Sequence, residues 1–394
     1  MTAEQTGRAV PPAPATGAWR EGDPVAARRF ADLGTLPLQL GGELPGVRLA
    51  HETWGELDAD GANAVLVLHA LTGDAHVHGP AGPGQPTAGW WDGLVGPGLA
   101  LDTDRWFVVA ANVLGGCQGS TGPSSTRPGT DAPWGSAFPR ITVADQVEAE
   151  ARLADALGVR RWVTVIGGSM GGMRALEWAV GHPGRVGAAL VLATSAAATA
   201  DQIGTQTAQM AVVRADAGWH GGDYHDLPAG CGPHVGLGIA RRIAQLSYRT
   251  AEELQLRFGR DPQEGEVPEA GGRYAVQSYL DHHADKLVRR FDAASYVALT
   301  DAMNTWDVGR GRGGTDEALR ACPTPMVVAG VDTDRLYPIA EQQRIADEAA
   351  GAVGGLRVIR SPFGHDGFLL ETDQLEPLVT EALALGRQAL AQRV

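Results

Sequence analysis

Residues 163–178 read VTVIGGSMGGMRALEW. A single serine, Ser169, stands among four glycines between a β-branched run and a segment that favours helix. The run Trp162 to Ile166 has the composition of a buried strand, and Ala175, Leu176, Glu177 and Trp178 are suited to a helix. Gly167-Gly168-Ser169-Met170-Gly171 fits G-x-S-x-G, the tight strand-to-helix turn that lifts a serine hydroxyl above an α/β sheet. Small residues belong there because strand and helix approach closely. Glycine-rich βα turns also cradle phosphates, so the motif needs partners elsewhere in the chain to settle its meaning.

The surrounding chain has the rhythm of a mostly parallel α/β sheet. The runs 64–70 (AVLVLHA), 105–113 (RWFVVAANV), 161–167 (RWVTVIG) and 187–193 (GAALVLA) are short and continuously apolar, as strands buried on both faces are. Residues 142–159 carry Val143, Val147, Leu153 and Leu157 among charges and predict a helix ending near Gly158. After Thr194 the strand signal stops, and 235–250 and 285–304 show helical spacing. Residues 197–312 are therefore expected to form a helical lid inserted into a core made of 21–196 and 313–394. The strand rhythm resumes at 325–331 (PMVVAGV) and 356–361 (LRVIRS), with helices from about Ile339 and Gln374. Two Gly/Pro-rich loops, 79–98 and 115–135, are long enough to suggest function or mobility.

Composition narrows the partners. The chain has 394 residues, 44% hydrophobic and 20% charged, with a formal charge of −14. That acidity argues against nucleic acid, and no apolar run approaches the ~20 residues of a membrane span. Cys117, Cys231 and Cys322 form no CxxC pair, which suggests a reducing, cytoplasmic setting. Residues 1–20, rich in Ala and Pro, lack the apolar centre of a secretory signal and are expected to be a disordered tail.

A serine hydroxyl needs a base, and the base needs an orienting acid. Asp332-Thr333-Asp334 directly follows the run 325–331, and PFGHDGF, carrying His365, directly follows 356–361. Both fall where α/β sheets build their sites, in the chain order serine, acid, histidine. Singly, Asp334 reads as a helix cap and His365 as a loop residue; together with the elbow they read as a catalytic set. The oxyanion hole should combine the Met170 amide with one from HALTGD after the first apolar run, at Leu71. His69 in that loop reads as structural. Arg241 and Arg242, with Tyr248 and Arg249 a turn or two later, are either a solvated helix face or a carboxylate clamp. Asp366 is a loop acid or a partner for an amine. His76, His78, His282 and His283 follow no metal-ligand spacing, so no metal is expected. Cys117 reads as a small buried side chain.

With these residues in place, the chain resembles the homoserine O-acetyltransferase family of α/β-hydrolase-fold acyltransferases. The matching stretches include HALTGDAHVHGPAGPGQPTAGWWDG, NVLGGCQGSTGPSS, VIGGSMGGMRALEW, TADQIGTQTAQMA, ARRIAQLSYR, GGRYAVQSYLDH, TDAMNTWDVGRGRGG, VDTDRLYP and GHDGFL. They run from about residue 36 to 375 and include the lid. The resemblance implies Ser169 as nucleophile, His365 as general base and acid, and Asp334 rather than Asp332 as its orienter. It implies Arg241, Tyr248 and Asp366 as substrate contacts, acetyl-CoA and L-homoserine as substrates, no bound cofactor, and a homodimer formed through the lid helices. Relatives of the same fold use succinyl-CoA, serine or larger alcohols, or hydrolyse esters, and the residues alone leave these readings open. A non-catalytic binding protein would ordinarily have lost a member of the triad.

Overall fold

The computed structural model describes residues 11–392. Eight strands form one sheet: β1 (Arg29–Pro37), β2 (Glu43–Trp54), β3 (Ala64–Leu68), β4 (Phe107–Ala111), β5 (Trp162–Gly168), β6 (Val186–Leu192), β7 (Met326–Val331) and β8 (Ala352–Ile359). Their order is β1-β2-β4-β3-β5-β6-β7-β8. The pairs β1/β2 and β2/β4 are antiparallel, and the remaining pairs from β4 to β8 are parallel. Strands β3 to β7 are buried along their whole length, which is why they read as unbroken apolar runs. The edge strand β1 is largely exposed and mixed in composition, so its sequence carries no such signal.

Side chains alternate between two cores. Leu66, Val109, Val165, Val191 and Val328 face one side, where they meet α1 (Val143–Ala156) and α2 (Met170–Gly181). Val65, Val67, Val108, Val163, Leu190 and Val327 face the other. There they meet Leu375, Val379 and Leu383 of the C-terminal helix (Thr372–Ala391). Helix α1 starts where Thr142 and Asp145 cap one another reciprocally.

Between residues 196 and 308 the chain leaves the sheet for five α-helices, α3 (Ala200–Arg214), α4 (His234–Tyr248), α5 (Ala251–Phe258), α6 (Ala275–Val288) and α7 (Ala293–Asn304). Its exit and return lie side by side: Ala198 N donates to Trp306 O at 2.9 Å and Val308 N to Ala196 O at 3.0 Å. The helical spacing read across 285–304 conceals a break. The Asp292 carboxylate accepts from Ser295 N at 2.7 Å and starts α7, so the chain turns between Arg289 and Asp292.

The expectation of a disordered tail to residue 20 is corrected in part. Residues 1–10 lie outside the described residues, but Gly230 N donates to Ala13 O at 2.7 Å, Gly17 N to Phe291 O at 3.2 Å and Trp19 N to Cys117 O at 2.9 Å. Thr16 Oγ1 also donates to the buried Asp292 at 2.8 Å. Low apolar content hid this segment because its anchors are mostly backbone groups. The loops 79–98 and 115–135 are likewise tied down, for example by Gly89 N to Gly79 O at 2.9 Å and Trp134 N to Ser125 O at 3.0 Å.

The C-terminal helix packs on the sheet through glycine. A Cβ on Gly386 would stand 1.9 Å from the Val163 carbonyl oxygen. Gly386→Ala should cost about 2–3 kcal/mol through overpacking, read as a lower denaturant midpoint, while turnover per folded molecule stays at the wild-type level.

Candidate active site

Strand β5 runs directly into α2, and the turn between them fixes Ser169 at φ 58° and ψ −124°. A non-glycine residue with positive φ is costly, and the surroundings must hold it there. Ser169 N donates to Leu192 O at 3.0 Å and Met173 N to Ser169 O at 3.1 Å. Close approach explains the flanking glycines: a Cβ on Gly171 would lie 2.1 Å from Leu68 O, and one on Gly168 would lie 2.4 Å from the Phe368 ring.

Two later loops bring partners to this hydroxyl. His365 Nε2 lies 2.9 Å from Ser169 Oγ, and His365 Nδ1 lies 2.6 Å from Asp334 Oδ2. All three residues are buried. The other Asp334 oxygen accepts from Leu336 N at 2.8 Å and Tyr337 N at 2.9 Å, which fixes the carboxylate plane. Asp332 is elsewhere, with Ser361 N at 3.1 Å and Arg360 at 3.1 Å, and so clips the β7 and β8 loops together. Thr333 adds to this clip, donating to Ser361 O at 2.6 Å and accepting from Gly364 N at 3.1 Å. An acid-oriented imidazole on a serine is the arrangement that makes a hydroxyl nucleophilic.

Met170 follows the serine directly, and Leu71 lies in the loop after β3, the two amides that the sequence assigns to an oxyanion hole. Met170 opens α2, so its N–H is among those with no acceptor inside the helix. Leu71 follows His69 in the loop after β3, and His69 ties that loop to its neighbours. His69 Nδ1 donates to Ala70 O at 2.7 Å while its Nε2 accepts from Val113 N at 3.1 Å. Burial, reinforced by Arg174, pushes the His69 pKa down to about 3, so the ring stays neutral and keeps both bonds.

The lid supplies the fourth side. Arg241 of α4 rests over the Tyr248 ring at 5.4 Å, with its Nε and Nη1 buried and unpartnered. Arg242 points away to Asp281 at 2.7 Å, so the helix phase separates the two arginines. The Tyr248 ring lies 5.8 Å from the His365 ring. Asp366 meets a group that the sequence motifs did not pair with it, Arg249 at 3.2 Å. Burial raises the Asp366 pKa, and Arg249, His365 and Arg241 oppose that rise. Tyr337, Gln206 and Phe368 also belong to this chamber. Tyr337 stacks on His365 at 5.1 Å, and burial raises the pKa of its hydroxyl, with Ser169 and Gln206 opposing the rise. Phe368 sits edge-on to His365 at 5.2 Å. The sequence signal for them was proximity to the motifs: Tyr337 lies within VDTDRLYP, Phe368 within GHDGFL and Gln206 within TADQIGTQTAQMA. The histidines weighed as ligands have other partners: His76 contacts Glu52 at 3.0 Å and His78 contacts Asp92 at 2.6 Å.

The sequence matches the model of the α/β hydrolase fold over residues 63–372. It is 63% identical over 376 residues to a homoserine O-acetyltransferase of Thermobifida fusca, covering 95% of this chain and 98% of that one. The chain belongs to the homoserine O-acetyltransferase family. A solved homoserine O-acetyltransferase of Bacillus anthracis superposes with a TM-score of 0.82 at 25% identity, over 90% of this chain and 97% of its own. Esterase E22 superposes equally well, with a TM-score of 0.82 at 22% identity over 90% of this chain and 99% of its own, which shows the shared fold.

Asp334→Asn should lower the rate of serine acylation by p-nitrophenyl acetate by about 10³ to 10⁴, because an amide supports the wrong imidazole tautomer. Asp332→Asn should leave that rate within about threefold and show instead as reduced stability. The His69 shift makes a separate prediction. Below about pH 6.5 the unfolded chain takes up a proton that folded His69 refuses. Its contribution is therefore complete above about 6.5 and lost as pH falls toward 3, at up to about 1.4 kcal/mol per unit. Melting temperatures from pH 7.5 to 5.5 should fall less steeply in His69→Gln than in wild type; equal slopes would reject the assignment.

Proposed function

We propose that the chain transfers acetyl from acetyl-CoA to L-homoserine in two steps through an acetyl-Ser169 intermediate. The observation that carries this reading is the Ser169–His365–Asp334 chain set beneath a lid whose Arg241 keeps two buried donors open. In the first step Ser169 Oγ attacks the thioester carbonyl and passes its proton to His365 Nε2. The oxyanion lies on the Leu71 and Met170 amides, and removing one such donor costs ~3 to 4 kcal/mol of transition-state stabilisation. The C–S bond breaks and the departing thiolate takes the proton from His365. In the second step the homoserine hydroxyl gives its proton to His365 and attacks the acetyl carbonyl. Collapse returns that proton to Ser169 and frees O-acetyl-L-homoserine, a methionine precursor.

Arg241 suits the acceptor carboxylate, since its planar fork donates two parallel bonds. Asp366 suits the amine, which would share that carboxylate with Arg249. Such holding is needed because water competes. Water at ~55 M against homoserine at ~1 mM favours hydrolysis by roughly 5 × 10⁴, or about 6 kcal/mol. Orientation of a bound acceptor can supply that much, with effective molarities of ~10⁵ to 10⁸ M. The same reading places the enzyme in the cytoplasm as a homodimer joined through its lid helices, where Leu246 and Leu256 are exposed. No helix among the described residues is long and apolar enough to cross a membrane.

The test is thiol release from acetyl-CoA with and without L-homoserine, paired with intact mass. Wild type alone should gain one acetyl group without acceptor, Ser169→Ala should gain none, and thiol release should turn over only with homoserine. Rapid release that homoserine does not alter would point to the esterase reading; acetylation that only another alcohol discharges would replace the acceptor.

A further inference from the structure

In the loop 69–73 the carbonyls are taken up and one amide is not. His69 O accepts from Arg174 of α2, Ala70 O accepts from both His69 Nδ1 at 2.7 Å and Gly73 N at 2.9 Å, and Thr72 O accepts from Arg290 Nη1 at 2.9 Å. The Gly73 bond closes a four-residue turn with Leu71 and Thr72 at its centre. Leu71 is buried, and among the described residues no acceptor meets its N–H. Buried backbone donors are otherwise nearly always paired, so an open one marks a place reserved for something that arrives later.

His69 stands behind that amide. A trans peptide points its C=O and its N–H in opposite directions, so whatever holds the Ala70 carbonyl also aims the Leu71 N–H. The partners of the ring fix its tautomer: the Ala70 carbonyl can only accept, so Nδ1 carries the proton, and the Val113 N–H can only donate, so Nε2 at 3.1 Å is bare. Val113 N–H, the imidazole and the 70–71 peptide thus form one series of hydrogen bonds with every donor facing the same way, ending at the Leu71 N–H. Each bond in such a series polarises the next. Glycine at 73 makes room for the ring, since a Cβ there would stand 2.9 Å from His69 Cβ and 3.3 Å from Nδ1. The loop lies against the start of α2: a Cβ on Gly171 would be 3.2 Å from His69 O.

We infer that His69 is a positioning residue for the acyl transfer: through the carbonyl of the 70–71 peptide it aims and polarises the Leu71 N–H that receives the oxyanion. This rests on the Leu71 assignment above and adds what sets the direction and strength of that donor. Negative charge appears on the carbonyl oxygen only as its carbon bonds to Ser169, so a better-aimed and more polarised amide lowers the barrier and leaves binding of the uncharged ester alone. Loss of the Ala70 bond therefore acts on the acylation rate and not on the ester concentration that half-saturates it.

The experiment follows burst acylation of Ser169 by p-nitrophenyl acetate in the full chain, alongside inhibition by trifluoroacetone, whose adduct with the serine carries the same oxyanion. His69→Gln offers an acceptor to Val113 N and no donor to Ala70 O, whereas His69→Asn offers an amide NH2 in the place of Nδ1 and gives up the Val113 bond. Leu71→Pro removes the N–H itself, at a turn position that proline suits. Per folded molecule, Leu71→Pro should slow maximal acylation by about 10² to 10³. His69→Gln should slow it by about 10- to 100-fold, the effect of a misplaced catalytic contact, with half-saturation within about twofold of wild type. It should weaken trifluoroacetone by the same factor, and His69→Asn should regain most of both losses. Equal losses in His69→Gln and His69→Asn, or lowered melting temperatures with wild-type acylation, would overturn the inference and leave His69 a packing residue. Wild-type acylation and trifluoroacetone affinity in Leu71→Pro would instead overturn the oxyanion assignment on which it rests.

Discussion

Arg174 has no access to solvent, and its charge is met entirely inside the protein. Its guanidinium lies 2.5 Å from Glu150 of α1, and the second Glu150 oxygen accepts from the Trp178 indole at 2.8 Å. Another of its nitrogens donates to the His69 carbonyl. A buried ion pair adds little net stability when complete, but removing either member leaves a stranded charge worth about 3–5 kcal/mol. The penalty works as a registration device. One helix carries the serine at its N-terminus and this arginine a turn later, and the arginine seizes the loop that presents Leu71. The distance between the start of α2 and the loop after β3 is therefore set by a bond that the fold cannot relinquish.

A second constraint is the environment of His365. Tyr337, Tyr248 and Phe368 present their rings to it, and each comes from a different part of the chain. Their apolar bodies keep water from the imidazole, and Tyr337 lays its ring face against it. Tyr337 also gives its backbone N–H to Asp334, so the acid and one of these rings are placed by the same short turn.

How far sequence alone reached is clearest at particular residues. The elbow was legible because strain and close approach leave glycine as the residue that fits, and β3 to β7 were legible because burial on both faces writes an unbroken apolar run. Asp334 and His365 followed from their place after such runs. Strand β1 left no comparable trace, since an exposed antiparallel edge tolerates mixed composition, and in β2 exposed and buried positions mix until Leu49. The choice between Arg241 and Arg242 depends on helix rotation within the lid, and the Arg249–Asp366 pair joins residues 117 positions apart. The anchoring of residues 13–19 uses mostly main-chain groups, which every sequence possesses and none advertises.

The lid leaves and rejoins the sheet at adjoining residues, 196–198 and 306–308. Because its ends nearly touch, a lid of any length can occupy this junction without pulling β6 and β7 apart. The junction makes the lid a cassette: Ser169, Asp334 and His365 stay with the sheet and its loops, while the helices above them can change in number and length.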